Sequence, residues 1–434
     1  MAGYVEDRWL NKRTDRTTGK KERTDRWGKG ARYRVAGVPG VRDRVFERLA
    51  DAQAWLKTSA TDSSRGTFID PRDGKITLDT YVREHWWPSL RVPPGTKEAM
   101  EYRVFGHILP LLGSQPLSRI DSDAVNLWVV RAEEAGLGAS TVRTTWRHLS
   151  SILQAAKNAN RIAVNPCRGL DTARPPAKPK QKARRWERST VQAVRGALPD
   201  RYRVLTDLGV AAGLRQGEAL GFSLDDLANG EILVQRQVMR IRSRLCFGPP
   251  KGNKERSVPV PAALVERLAE HARQFPMVEV ELPWIDPDRP NLDWDKRPKV
   301  KARLLVTTLK RNAVNRSDWN TLAWKPALGT AGVIDPVPDP AGLLTDAELR
   351  SRSGTKTGDA RWPEAREHGF HVLRHTYAST VLQAGESIVT LAAWLGHSDP
   401  AFTLRTYTHF MPDAGSRGVA AMDAWLRNSP QAAI

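Results

Sequence analysis

Cysteine is nearly missing from this chain. Cys167 and Cys246 are the two in 434 residues, far apart and outside any CxxC or Cys/His ligand spacing. Neither a disulfide framework nor a structural zinc site is expected, and no metal or other cofactor is called for. Long apolar runs are missing too. Apolar residues make up 40% of the chain, yet no uninterrupted stretch approaches the roughly 20 residues that cross a bilayer, so no membrane partner is expected. The opening MAGYVEDRWLNKR lacks the apolar core of a secretory signal, which with the sparse thiols predicts a protein of the reducing cytoplasm.

Acidic residues are outnumbered, with 48 Asp and Glu against 68 Lys and Arg, a formal net charge of +20. The sequence pI is about 10.2. A chain this basic is drawn to polyanions through counterion release, which makes nucleic acid the default partner. Charge alone does not separate it from other basic proteins, so the motifs must.

The length leaves room for several domains, and the pattern predicts a multidomain, mainly α protein. Residues 1–62 carry short alternating runs, YVEDRWL, ARYRVAG and VRDRVFE, between turn signals such as GKG and GVPG. They read as a small three-stranded sheet, covered by one helix in which Leu49, Ala52 and Leu56 recur at helical spacing. The rival reading is a solvated basic leader. Residues 72–172 turn helical in four segments, the last of them ASTVRTTWRHLSSILQAAKNAN. There Ser140 is the expected N-cap, Val142, Trp146, Leu149, Leu153 and Ala156 share one face, and Arg143, Arg147 and Lys157 lie opposite. A basic, Pro-rich linker is expected at 173–186, and one larger mixed α+β domain over 187–434. Within that domain, the segment VAAMDAWLRNS puts Val419, Met422, Trp425 and Leu426 on one helical face, a tail suited to packing on the same or a neighbouring subunit.

Four stretches of the C-terminal half suggest phosphate chemistry. In LGVAAGLRQGEALGF an apolar helix ends at Gly213, and Arg215 opens a new turn, with Glu218 about one turn further on. Such an arginine suits a phosphate, and the carboxylate could hold it, although a surface Arg–Glu pair is the commoner meaning of this pattern. CFGPPKGNKERSVPV reads as a β-hairpin with Lys251 and Lys254 near its tip, a place where a solvated lysine is equally at home. In GFHVLRHTYASTVL, His371 and Arg374 share a helix face; Val372 stands where a zinc helix of HExxH type needs a glutamate, which argues against metal. In LAAWLGHSDPAFTLRTYTHF, His397 follows a Gly turn and Tyr407 comes ten residues later, where a buried structural tyrosine is the plain alternative.

In order, AAGLRQGE, PKGNKERSVPV, HVLRHTYAS and WLGHSDPAFTLRTYTH closely resemble the active-site boxes of the tyrosine recombinases, in particular the phage-type integrases. The resemblance covers about 187–415. The segment at 75–170 is loosely similar to that family's core-binding domain, and 1–60 to its arm-binding domain. The Pro-rich stretch 335–368, ahead of HVLRH, is longer than the family's usual spacing.

The resemblance implies a site-specific recombinase that cuts and rejoins double-stranded DNA through a 3′-phosphotyrosine at Tyr407. It implies Arg215 and Arg374 as donors to the phosphate, Lys251 as the acid for the leaving 5′-oxygen, and Lys254 as a phosphate contact. His371 would take or hold the Tyr407 proton, His397 would donate to a phosphate oxygen, and Glu218 would orient Arg215. It further implies a homotetramer on DNA, a clamp of helical and catalytic domains around core sites, arm sites read by the N-terminal module through cations such as Arg32 and Arg34, DNA-bending and directionality proteins as partners, and a place on the nucleoid. Phosphate contacts are expected from Arg143 and Arg147 in the helical domain. Two rivals stand beside it: a type IB topoisomerase, which would have no need of an arm-like module, and a DNA-binding regulator, which would not keep the full set of catalytic residues.

Overall fold

The computed structural model describes residues 3–14, 18–64, 68, 70, 73–168, 177, 184–336, 356–357, 360–363, 366–410 and 415–427. Most of the expected linker 173–186, and most of the Pro-rich stretch 335–368, lie outside them. The chain divides into two compact units, 1–91 with 96–180 and 92–95 with 181–434.

The first unit opens with the alternating runs. Strands Tyr4–Asp7, Tyr33–Ala36 and Arg44–Phe46 form an antiparallel sheet with Tyr33–Ala36 in the middle. Helix Leu49–Ser64 lies on it, and Val35, Val38 and Ala52 are buried between them with Phe46, Trp55 and Leu56 packed around. Three strands alone expose one apolar face, and the helix covers it. A separate hairpin, Leu10–Thr14 with Lys21–Arg23, was not expected.

The helical part holds four helical runs. The first comprises Leu78–Tyr81, Val82–Trp86 and Trp87–Ser89, and the second Pro94–Arg103, Val104–Ile108 and Leu109–Leu112. Val82–Trp86 and Val104–Ile108 are π-wound, as is Asn320–Trp324 in the second unit. Each π stretch ends two residues before a proline, Pro88, Pro110 or Pro326. Proline lacks the N–H for the next helical bond and its ring crowds the carbonyl four residues back, so the wider winding relieves the clash without breaking the helix. Ser122–Glu134 follows, capped by Asp121, whose side chain accepts from the N–H of Ala124 at 2.9 Å. The last helix is Ala139–Asn158, and its N-cap is Gly138, not Ser140, which lies inside the first turn. Val142, Trp146, Leu149, Leu153 and Ala156 are all buried. Each large side chain so buried contributes about 1.5–3 kcal/mol, and Leu149→Ala would cost about 2–5 kcal/mol.

In the second unit, helices Arg188–Ala197, Asp200–Ala211 and Ala262–Gln274 are tied by buried Asp207, which accepts from Arg195 Nε at 2.9 Å and Arg267 Nη1 at 2.6 Å. Trp186 stacks on Trp324, Trp324 stacks on Trp319, and Phe370 packs against both Trp319 and Trp324. This aromatic cluster seats the start of helix His371–Gln383 on the core. Strands Leu227–Ala228, Glu231–Val234 and Arg256–Pro259 form one sheet, Gln237–Ile241 and Arg244–Gly248 a hairpin, and Val278–Pro283 with Lys299–Leu304 another.

The strand pairing corrects one expectation. The segments flanking KGNKE do not pair with each other. Arg244–Gly248 pairs back to Gln237–Ile241 through a turn at Arg242, while Arg256–Pro259 pairs with Glu231–Val234. KGNKE therefore bridges two sheets.

Candidate active site

Helix Asp200–Ala211 ends at Gly213, whose φ of +61° lies in the left-handed region; a Cβ there would stand 2.5 Å from the Tyr377 ring. Only glycine fits. The reversal presents the Gly213 carbonyl to Arg374 Nη1 at 2.7 Å and starts helix Gln216–Leu220 with Arg215 as its N-cap. Glu218, in the first turn, accepts from the Arg215 backbone N–H at 2.9 Å and from Arg215 Nη1 at 2.7 Å. Its other claimant was not foreseen. Arg256, in phase with buried Val258 on strand Arg256–Pro259, donates Nη1 and Nη2 to the same carboxylate at 3.1 and 2.7 Å. Burial alone would raise the Glu218 pKa, but hydrogen bonds and charge from Arg256, then Arg215, hold it at about 2.

The three arginines then meet the end of one helix. Ile388–Leu395 stops at Gly396, again left-handed at φ +63°, so its last carbonyls point out of the helix. Arg256 Nε donates to the Trp394 carbonyl at 2.6 Å, Arg374 Nη2 to that of Leu395, and Arg215 Nη2 to those of Leu395 and Gly396 at 3.2 and 3.4 Å. Partial negative charge at a helix C-terminus offsets the crowding of cations. Arg374 is 1% exposed, and its Nε has no hydrogen-bond partner among the described residues. Desolvation, then the neighbouring Arg215, pulls its pKa below the usual guanidinium range.

His397 follows at once. Its Nε2 lies 3.2 Å from Arg374 Nη2 and its Nδ1 lies 2.7 Å from Thr403 Oγ1. Arg374 only donates, so Nε2 accepts and a neutral ring carries its proton on Nδ1. Desolvation, followed by Arg374, Arg215 and Arg256, depresses this imidazole to about 3.

Helix Pro400–Tyr407, capped by Asp399, brings Tyr407 back to helix His371–Gln383. Tyr407 is 1% exposed, and its Oη lies 2.8 Å from Nδ1 of His375. The imidazole at hydrogen-bond distance is thus not that of His371, which packs edge-on against His375 with ring centroids 4.6 Å apart. Burial pushes the phenol up to about 12 against the pull of Arg374 and Arg215, so at neutral pH it holds its proton. Desolvation and Arg374 depress His375 to about 4, leaving it neutral and able to accept. His371 is lowered as well, by desolvation and then by His375, Arg374, Arg215 and His397.

The structure therefore brings together Arg215, Glu218, His371, Arg374, His397 and Tyr407, and adds Arg256 and His375. Lys251 and Lys254 are both exposed on the KGNKE connection, with Gly252 and Asn253 left-handed between them. On helix Ala139–Asn158, Arg143 is half-buried and Arg147 exposed. Arg32 and Arg34 are engaged by carboxylates: Arg32 grips Asp7 in a fork at 2.8–3.2 Å, and Arg34 pairs with Asp43 and Glu6. Cys167 and Cys246 are buried free thiols, and no group of His, Cys, Asp and Glu among the described residues could hold a metal. No described helix is long and apolar enough to cross a membrane.

No protein-family model matches the chain. Among curated proteins, it is 23% identical over 397 residues, 86% of this chain and 89% of the relative, to a XerC-like tyrosine recombinase of Caldanaerobacter subterraneus subsp. tengcongensis. It is 23% identical over 378 residues, 83% of this chain and 85% of the relative, to the integrase of Mycobacterium phage L5. Among solved structures, the Tn1549 transposon integrase in complex with a circular intermediate DNA aligns with a TM-score of 0.58 at 16% identity, over 81% of this chain and 99% of that one. Likeness along most of two recombinases, a shared fold, and a tyrosine set beside clustered arginines and histidines agree: the chain is similar to the tyrosine recombinases of the integrase kind.

Proposed function

We propose that the protein integrates a mobile element by cutting and rejoining double-stranded DNA at specific sites, with Tyr407 as nucleophile. One observation carries this reading. Arg215, Arg374 and His397 converge on the end of helix Ile388–Leu395, and Tyr407 lies within the field of both arginines. A phosphodiester in transit gathers charge on two non-bridging oxygens, and forked guanidinium donors suit them; the unpartnered Nε of buried Arg374 is a donor an anion would satisfy.

Tyr407 Oη attacks phosphorus, the bond to the 5′-oxygen breaks, and a 3′-phosphotyrosine forms. Lys251 gives the departing oxygen its proton. In its other neutral tautomer His397 carries its hydrogen on Nε2 and donates it in a hydrogen bond to a non-bridging oxygen, while Nδ1 accepts from Thr403 Oγ1. The 5′-hydroxyl of a partner strand then reverses the step. One phosphoester replaces another, so no external energy source is required. Glu218 positions Arg215.

The wider reading follows the family resemblance: a homotetramer on DNA, core sites bound by the helical part with Arg143 and Arg147, arm sites bound by residues 1–62, help from DNA-bending and directionality proteins, and residence on the cytoplasmic nucleoid. Val419, Met422, Trp425 and Leu426, all exposed on helix Gly415–Arg427, suit a tail that docks on a neighbouring subunit. The test is a nicked suicide substrate carrying a core site. Wild-type protein should form a covalent adduct and Tyr407→Phe none, with core binding retained; full adduct formation by Tyr407→Phe would overturn the reading.

A further inference from the structure

We propose that His375, not His371, is the base that receives the Tyr407 proton during strand cleavage. The inference rests on Tyr407 being the nucleophile and names the group that activates it.

Geometry separates the two imidazoles, which lie one turn apart on helix His371–Gln383. Nδ1 of His375 is 2.8 Å from the phenol oxygen, the distance of an O–H···N hydrogen bond, with ring centroids 5.5 Å apart. The phenol is the donor, so Nδ1 carries the lone pair and Nε2 the hydrogen. His371 stands behind it, edge-on to His375. A base must reach the proton it removes, and His375 is the ring that does.

In the step itself, the O–H bond of Tyr407 breaks and its proton passes to Nδ1 of His375. The freed pair on Oη forms the bond to phosphorus as the bond to the 5′-oxygen breaks, and that oxygen takes its proton from Lys251. Rejoining runs the same transfers backward, so His375 ends each cycle neutral. Arg374, the residue before His375 in the chain, places the phosphate-binding cation and the base on adjacent positions of one helix.

A phenol that ionises more readily needs less help from a base, and this gives the test. In His375→Asn, single-turnover cleavage of the suicide substrate should fall by about 10²–10⁴ with core-site binding kept. Replacing Tyr407 with a difluorinated tyrosine should restore at least about tenfold in that variant. The same replacement should not restore His371→Asn. A His375 that only packs the helix would give a defect indifferent to phenol acidity, and that result overturns the proposal, as does rescue of His371→Asn instead. His375→Gln is measured in parallel, so that a poorly folded Asn variant does not decide the matter. Adduct formation by Tyr407→Phe would refute the nucleophile itself, an outcome separate from both.

Discussion

Arg256 and Glu218 face each other in a forked ion pair, Nη1 to Oε1 at 3.1 Å and Nη2 to Oε2 at 2.7 Å. Both are buried, and the same carboxylate also holds Arg215. Removing one member of such a pair strands the other charge, at a cost of about 3–5 kcal/mol. Arg256→Met should therefore lower the urea midpoint and weaken cleavage through Arg215. Combining it with Glu218→Gln should cost less stability than the sum of the two single changes. Strict additivity in that double-mutant cycle would show the pair to be uncoupled.

Acid should loosen the site in two stages. His375 and His397 are held near 4 and 3 against an ordinary 6.5, chiefly by desolvation. The unfolded chain then binds protons that the folded one refuses, so their contribution is complete above about 6.5 and is lost progressively below it, by at most about 1.4 kcal/mol per pH unit for each. Glu218 is depressed from 4.5 to about 2, and its contribution, present above 4.5, drains away as the pH falls toward 2. Urea midpoints taken from pH 7.5 down to 5 should fall in the wild type and fall less steeply in His375→Gln/His397→Gln. An equal slope in both proteins would remove the histidines from the explanation.

The choice between the two lysines is open to chemistry. Lys251→Ala should lose cleavage of an ordinary phosphodiester by about 10²–10⁴ and recover on a 5′-bridging phosphorothiolate, whose sulfur departs without a proton. Arg374→Ala should not recover, because the role proposed for it is to hold the phosphate and not to serve the leaving group. Recovery of Lys254→Ala in place of Lys251→Ala would move the acid along the chain.

A fragment beginning at Asp73 should bind core sites and form the Tyr407 adduct, yet fail in integration that needs distant arm sites. The full chain should lose affinity more steeply with salt, by a slope of about 0.9 for each phosphate the N-terminal module neutralises. Arg32→Ala should also lower the melting temperature of that module, since Arg32 grips Asp7 and lies over the rings of Trp9 and Tyr33. Identical footprints for fragment and full chain would leave residues 1–62 without a DNA site.

Local signals were readable and tertiary choices were not. Alternation in YVEDRWL, ARYRVAG and VRDRVFE specified three strands, because period-two patterning is written into each strand by itself. The order of Arg215, Arg374, His397 and Tyr407 was equally plain. The partner of a strand is a non-local property, and the turn residues of KGNKE look the same whether they close a hairpin or bridge two sheets. Arg256 looks like any surface arginine until its phase with Val258 is noticed: a cation on the inward face of a strand calls for a buried carboxylate. For His371 and His375 the helix offers both, and only the return of Tyr407 selects between them.

The acceptors at Trp394, Leu395 and Gly396 are main-chain oxygens, and this shapes how the site can drift. No exchange of side chain at 394 or 395 deletes an acceptor, so those positions are free to answer to packing while the arginines keep their anchor. Gly396 has no such freedom: its left-handed φ fixes where the carbonyls point, and a Cβ there would stand 3.0 Å from Arg256 Cδ. The array of arginines is thus held by the shape of one helix end, and most of the surrounding side chains could change without removing its acceptors.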